Sequence, residues 1–501
     1  MIRHELSSNE WQLSPWLALA ALLVIAITFR PFLPANTDVG WLLTVAERVL
    51  DGQRLYIDVI ETNPPMAVLV YMPAVLVARS FGLSAEMAAD GLVFAVAFAL
   101  LALSAHILKD SAALNKRAGW SFALLAFAML TILPAETFAQ REHIAVLELL
   151  PLLALYAVRT TVEKPPLWSI VIAGISAGLA LCFKPYFSLG IFCGSAALAF
   201  HARSWRLFLV LENWIAGALV VIYALCVVWL YPAYISDILP LIREVYVLLG
   251  FSFSGMVGMP AIPIWAAASF AALVLSRSER IDGILLLLLE TSFGFMLAFF
   301  VQRKGWPYQS YPMIAFAMLG LSYAVSRCTP RNLALNIFGT ATLAVTFVAS
   351  ILWFNWGFDK VFDQRPLWSS VARFGPHPKI LAITAEPALG HPMVRALQGT
   401  WVSRQQGLWV AGYLRSLHKH GMLGPQQEAI VEQHAARERA MLIADIKKTE
   451  PTVVLVDNYS GRWSTWLADH PDVADLLKDY RPVATINDIE LRARPLEIRL
   501  H

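Results

Sequence analysis

The chain has 501 residues, 58% hydrophobic and 15% charged, with a formal net charge of +3. Soluble domains carry nearer a quarter charged residues, so the composition indicates a membrane protein. The small net charge, with no basic run interleaved with aromatics, speaks against a nucleic-acid partner.

The first apolar run, Trp16 to Leu33, has about the 20 residues that a membrane-crossing helix needs. It carries Arg30 and Pro31 near its end and no A-x-A-like site follows, so it reads as a retained span and not a cleaved signal peptide. Next comes "NTDVGWLLTVAERVLDGQRLYIDVIETNPP", Asn36 to Pro65, half polar and carrying Asp38, Asp58 and Glu61. Asp38 precedes an amphipathic pattern and could cap that helix. It also stands where a carboxylate reaches both an aqueous acceptor and a lipid-borne donor, as a general base must. Pro65 to Ala78 is apolar but short and interrupted by Pro73, which places it in or on the membrane surface.

Further apolar segments at about 89–108, 119–138, 143–158, 167–183, 186–200, 209–231, 260–276, 283–301, 311–326 and 333–355 bring the expected crossings to eleven. Lysines and arginines gather at alternate connections: Arg3; Lys109, Lys116 and Arg117; Arg159 and Lys164; Arg203 and Arg206; Arg277 and Arg280; Arg327 and Arg331. These six segments are expected to be cytoplasmic. The first outer loop (35–88), "AETFAQREH" (135–143), "CFKPYF" (182–187), 232–259, "VQRKGWPYQSYP" (301–312) and everything after 356 then share the outer side.

Cys182, Cys193, Cys226 and Cys328 lie in or beside apolar segments, with no C-x-x-C pair, and read as small buried hydrophobes. Beyond about residue 357 the composition changes, with 18 of 39 Lys+Arg and 15 of 36 Asp+Glu in the last 142 residues. Strand-sized apolar runs at 379–386, 452–458 and 481–488 and a helix-like stretch at about 425–449 indicate a small α/β domain. The expected fold is thus a polytopic α-helical membrane domain, 1–356, followed by a soluble outer-side α/β domain, 357–501.

Arg141, Lys184 and Lys304 stand at helix ends on three outer loops. Interfacial snorkelling is the plain explanation. The sharper one is a phosphate anchored by a lipid tail, since Arg and Lys pair strongly with phosphate at low dielectric. Glu142 could serve only as a helix N-terminal acid, and His143 reads as a hydrogen-bonding residue before a metal ligand. "HKH" at 418–420 lacks metal-ligand spacing. Trp306, Tyr308 and Tyr311 make either an interfacial belt or a wall of the pocket.

These stretches resemble the GT-C superfamily of integral-membrane glycosyltransferases, relatives of the protein mannosyltransferases and the lipid A aminoarabinose transferases. That superfamily has an acidic residue in the first outer loop, an amphipathic helix, a G-x-x-L-Y-x-D stretch and K-P-P before a juxtamembrane helix. The counterparts are Asp38, "TVAERVLDGQRLYID" and "NPP", while "REH", "FKP" and "Q-x-K-G-W-x-Y" resemble a bacterial branch. Asn63 stands where many relatives have Lys, and Gln309 where His is expected after Tyr308.

The resemblance implies a transferase, inverting, that moves a sugar from a polyprenyl-phosphate donor to a glycan, lipid or protein acceptor on the outer face of a bacterial cytoplasmic membrane. Asp38 would be the base, and Arg141, Lys184 and Lys304 the phosphate ligands. Asp58, Glu61, Glu142, His143, Gln302, Trp306, Tyr308 and Gln309 would support substrate binding, and the C-terminal domain would bind the acceptor. No cofactor is required, although a divalent cation (Mg²⁺, Mn²⁺ or Ca²⁺) could sit among Asp38, Asp58 and Glu61. The alternatives are a transporter or flippase of a lipid-linked sugar, for which Glu148 and Glu290 paired around a central cavity would be the sign, and a non-catalytic subunit of an envelope-polysaccharide machine.

Overall fold

The computed structural model describes residues 15–33, 36–109, 116–160, 164–248, 250–276, 282–328, 333–356, 365–421 and 424–494. Arg3, Arg277, Arg280 and Arg331 of the orientation argument lie outside the described residues, as does the expected domain boundary at 357.

A helix stands at each of the eleven apolar segments. After α1 (Pro15–Phe29) the segment expected as the first outer loop forms α2 (Thr37–Leu50), α3 (Met66–Leu69) and α4 (Met72–Phe81), the last two separated just ahead of Pro73. Then come α5 (Ala85–Leu108), α6 (Lys116–Thr131), α7 (Arg141–Thr160), α8 (Leu167–Phe183), α9 (Ser188–His201) and α10 (Leu211–Leu230). Short α11 (Leu239–Glu244) and α12 (Phe253–Val257) precede α13 (Ala261–Leu275), α14 (Gly283–Gln302), α15 (Pro307–Arg327) and α16 (Leu333–Phe354). By length and composition five helical segments could cross a membrane: Pro15–Phe32, Ala85–Leu108, Trp205–Leu230, Gly283–Gln302 and Leu333–Phe354.

Arg117–Thr131, Leu167–Phe183 and Ala261–Leu275 are apolar but shorter. α15 is buried along almost its whole length and packs against α6, α7, α13, α14 and α16, as a helix apolar on all sides should in a bundle core. On the periphery, α10 turns Trp214, Leu225 and Trp229 outward and α16 does the same with Val345 and Leu352. Cys226 is exposed with the outward face of α10, unlike the buried Cys182 and Cys193, so the expectation of buried cysteines fails there. Where α9 meets α14 there is no room for side chains: a Cβ on Gly294 would lie 2.3 Å from the Leu189 carbonyl oxygen, and one on Gly190 would lie 2.4 Å from the Phe295 ring.

The C-terminal region begins with α17 (Arg365–Ala372) and builds one five-stranded sheet from β1 (Lys379–Ile383), β2 (Thr400–Trp401), β3 (Val453–Asp457), β4 (Arg481–Ile486) and β5 (Ile489–Ala493), ordered β2-β1-β3-β5-β4. β1 pairs in parallel with β2 and β3, while β5 runs antiparallel to β3 and β4. The three strands expected from sequence are present; β2 and β5 were not foreseen. β5 returns from β4 through Asn487 and Asp488, both at positive φ (48° and 59°), the two-residue turn that hairpins favour. Helices α18 (Met393–Ala396), α19 (Trp409–His420), α20 (Pro425–Thr449), α21 (Trp463–Ala468) and α22 (Pro471–Ala474) belong to the same region, with α20 at the expected place. One face of the sheet shares a core with the first outer loop: Val39, Leu42 and Leu43 of α2 belong to the same cluster as Ile380, Leu389, Trp401 and Leu455.

Gly294→Ala should drive a methyl into the α9 backbone and destabilise the protein by about 1–3 kcal/mol, visible as a lower melting midpoint in detergent. Gly217→Ala, inside α10 with nothing within 4 Å of the added carbon, should hold or raise that midpoint, since alanine favours a helix over glycine.

Candidate functional site

α2 starts at Thr37. Its N-cap is Asn36, whose Oδ1 accepts from the amides of Asp38 and Val39 and from Gln140 Nε2. The capping role that Asp38 could have had is therefore filled, and its side chain, 29% exposed, lies with Oδ2 3.7 Å from Arg141 Nη2.

Arg141 opens α7. Consecutive helical residues point about 100° apart, and Arg141, Glu142 and His143 accordingly go to three different places. Arg141 is 2% exposed and faces Asp38, with Nε and Nη1 buried and lacking hydrogen-bond partners. Glu142 Oε1 is 2.5 Å from Lys184 Nζ, while its Oε2 is buried and unpartnered. His143 Nδ1 accepts from the Ala139 amide at 3.1 Å and Nε2 donates to the Leu130 carbonyl at 2.7 Å. Both imidazole nitrogens are committed to backbone, so His143 is a buried strut of the turn before α7. Tyr71, between α3 and α4, supports the same turn by donating to the Ala139 carbonyl at 2.7 Å.

Lys184 follows the C-terminus of α8, where the helix dipole favours a cation. Its Nζ also lies over the Tyr308 ring, 5.4 Å from the centroid. Tyr308 belongs to the first turn of α15, which is capped at Trp306 after a turn with Arg303 and Gly305 in the left-handed region (φ 54° and 67°). The neighbouring Gln309 is buried with Oε1 unpartnered. Lys304, in that turn, donates to the Tyr246 carbonyl and sits 3.9 Å from the Tyr246 ring centroid. Burial raises the Tyr246 phenol above its ordinary pKa, with Asp38 and Arg141 both near enough to influence it. Lys304 is thus one aromatic ring removed from the cluster. Burial lowers its ammonium to about 8. Gln302 donates to the Ala298 carbonyl within its own helix.

The fold thus brings together Asp38, Arg141, Glu142, Lys184 and Tyr308, two carboxylates and two cations in near balance, with Lys304 and Trp306 around Tyr246 at the edge. Asp58 and Glu61 stand apart. Asp58 is an exposed partner of Arg54 at 2.9 Å, which holds its carboxyl at about 2. Glu61 is buried and fully used, accepting from Trp41 Nε1 at 2.6 Å and from the backbone and side-chain nitrogens of Asn63. A divalent-ion site through Asp38, Asp58 and Glu61 is therefore not assembled. The described residues that bring three candidate metal-ligand atoms within 4.8 Å of one another are His418, Glu428 and Glu432 in the C-terminal region, where His418 pairs with Glu428 at 2.5 Å. Glu148 accepts from Ser176, and no hydrogen bond or ion pair among the described residues joins it to Glu290.

Three contributors were not singled out in the sequence: Asn36, Gln140 and Tyr246. The N-cap chemistry of Asn36 was a usable signal; Tyr246 had none.

Neither a family model nor a curated protein matches this sequence. In three dimensions the chain is similar to ArnT from Cupriavidus metallidurans bound to undecaprenyl phosphate, with a TM-score of 0.60 at 13% identity over 96% of this chain and 98% of that one. The apo crystal structure of ArnT gives a TM-score of 0.58 at 14% identity, covering 95% and 97%. The likeness to ArnT thus holds at the level of the fold, along nearly the whole chain.

Asp58→Asn should leave the melting midpoint close to wild type, because the carboxylate is an exposed partner of Arg54. Glu61→Ala strips partners from buried Trp41 and Asn63 and should cost about 1–3 kcal/mol of stability, measured by thermal unfolding.

Proposed function

We propose that this protein is an integral-membrane glycosyltransferase of the GT-C type that transfers a sugar from a polyprenyl-phosphate donor to an acceptor hydroxyl. The observation that carries the reading is the buried Arg141 guanidinium, with two nitrogens lacking partners, set against Asp38 at the ends of helices. A permanently charged group with donors to spare in a dry site suits an anionic oxygen. The fold it shares with ArnT bound to undecaprenyl phosphate supports a polyprenyl phosphate as the lipid partner.

In this reading Asp38 accepts the proton of the acceptor hydroxyl as its oxygen attacks the anomeric carbon. The bond from that carbon to the phosphate oxygen breaks on the opposite face, inverting the centre, and the electron pair leaves with the phosphate. Arg141 hydrogen-bonds the phosphate oxygens, and Lys184 turns from Glu142 toward them, so that charge developing on the leaving group meets preorganised cations in a low dielectric. Tyr308 fixes Lys184 through its ring, while Lys304 adds positive potential from behind Tyr246. The reaction would take place on the outer face of a bacterial cytoplasmic membrane, in the synthesis of an envelope glycan, glycolipid or glycoprotein.

Transfer of labelled sugar by the purified protein from a panel of polyprenyl-phosphate donors tests the reaction class. Asp38→Asn should lower turnover by about 10²–10⁴-fold while donor binding persists; near-normal turnover would remove Asp38 from the base role. Arg141→Ala should weaken polyprenyl-phosphate binding itself. Because burial brings the Lys304 ammonium down to about 8, its charge is present below that pH and lost above it. The rate should therefore decline as pH rises through 8, and Lys304→Arg, which cannot lose its charge there, should remove the decline in an initial-rate profile.

A further inference from the structure

Asp38 and Arg141 are 3.7 Å apart, a contact too long to hold the helix that carries Asp38. Other contacts hold α2, through Asn36 and Gln140 at this end and most densely at the other. The Arg395 side chain, in α18 and 10% exposed, grips Glu47 in a two-pronged pair, Nη1 to Oε2 at 2.8 Å and Nη2 to Oε1 at 2.9 Å. Its Nη1 also donates to Thr44 Oγ1 at 3.1 Å, and its Nε pairs with Glu86 in the first turn of α5. Neighbouring contacts run the same way. Arg48 donates to the carbonyls of Trp401 and Ser403, and Thr37 Oγ1 donates to the His391 carbonyl at 3.1 Å. The segment from His391 to Ser403 thus lies along α2 from its first residue almost to its last.

We infer that Arg395 is a positioning residue for Asp38: by fixing α2 to α5 and to the C-terminal region, it sets where the Asp38 carboxylate stands relative to Arg141. The inference rests on the reading of Asp38 as the base. Glu47 is nine residues beyond Asp38, about 13 Å along the helix, so a small tilt at the Glu47 end moves the carboxylate across the site. A misplacement of about 1 Å in a reacting group costs about 10²-fold in rate. A lysine cannot replace Arg395 fully, because a single ammonium lacks the planar fork that meets Glu47 with two bonds and Glu86 with a third.

The test compares the full-length wild type with Arg395→Ala and Arg395→Lys. For Arg395→Ala, kcat should fall about 10- to 100-fold while KM for the polyprenyl-phosphate donor stays within about twofold, since Arg141 and Lys184 do not lie on α2; Arg395→Lys should recover part of kcat. Amide hydrogen exchange in α2 should rise in Arg395→Ala. Unchanged kcat in a folded Arg395→Ala protein, or a rise in KM at constant kcat, overturns the inference. Unchanged exchange in α2 overturns it too, and does so whatever reaction the protein performs. Absence of turnover in the wild type on a full donor panel would instead count against the transferase reading, with the exchange measurement still deciding whether Arg395 holds α2. Glu47 and Glu86 side chains are 34% and 29% exposed, so water can solvate them when Arg395 is gone. Should Arg395→Ala fail to fold, Glu86→Gln loosens the same clamp from α5 and is read by the same kcat, KM and exchange criteria.

Discussion

A guanidinium keeps its charge at any pH at which a protein survives, and the burial of Arg141 at the start of α7 makes that charge the constraint around which this end of the bundle is arranged. The N-terminus of a helix is already the positive end of its dipole, so Arg141 is placed where a cation is least welcome. Asp38 from α2 approaches it, Glu142 follows it in the chain, and Glu142 in turn draws Lys184 from the end of α8. Three separate stretches are thereby tied to one charge. Two of the guanidinium nitrogens are still left without partners, and buried donors in that state cost free energy. Proteins keep such a cost where it serves a site.

Hydropathy alone located the helices, because a run of apolar residues must be satisfied by its own backbone bonds in a membrane. It could not tell a lipid-facing helix from an enclosed one: α15 and α10 both read as spans, yet one is buried almost throughout and the other turns Trp214 and Trp229 outward. Within the site, Asp38, Arg141, Glu142 and Lys184 were legible because charges breaking an apolar pattern on the same side have few reasons to be there. Asp58 and Glu61 carried the same signal for different causes. The first is taken by Arg54 four residues before it, the second by Trp41 twenty residues before it, and nothing in the local pattern separates a solvated ion pair or a buried latch from a catalytic acid. His143 was similarly ambiguous until both of its nitrogens were found on backbone.

The C-terminal region, expected as an outer-side α/β domain, packs against the segment that follows α1. Residues of α2 and of the sheet fill one core, and Ile60 donates from its amide to the Arg404 carbonyl at 2.8 Å. Arg395 meets Glu47 across 348 residues of sequence, a separation at which no periodicity or motif operates. An acceptor-binding role for this region therefore has to coexist with a mechanical one, since the surface it turns toward α2 is already occupied.

α2 is consequently a rod held at both ends, by Asn36 to Gln140 just ahead of α7 and by Thr44, Glu47 and Arg48 to the segment around Arg395 and Trp401. Two equilibria that share a rigid element are thermodynamically linked, and linkage is reciprocal. If an anion seated on Arg141 draws the front of the rod into one setting, it favours the matching seat of the C-terminal region by the same factor with which that seat favours the anion. In a chain joined in this way, what is bound at one end of a fourteen-residue helix would be felt at the other, in either direction.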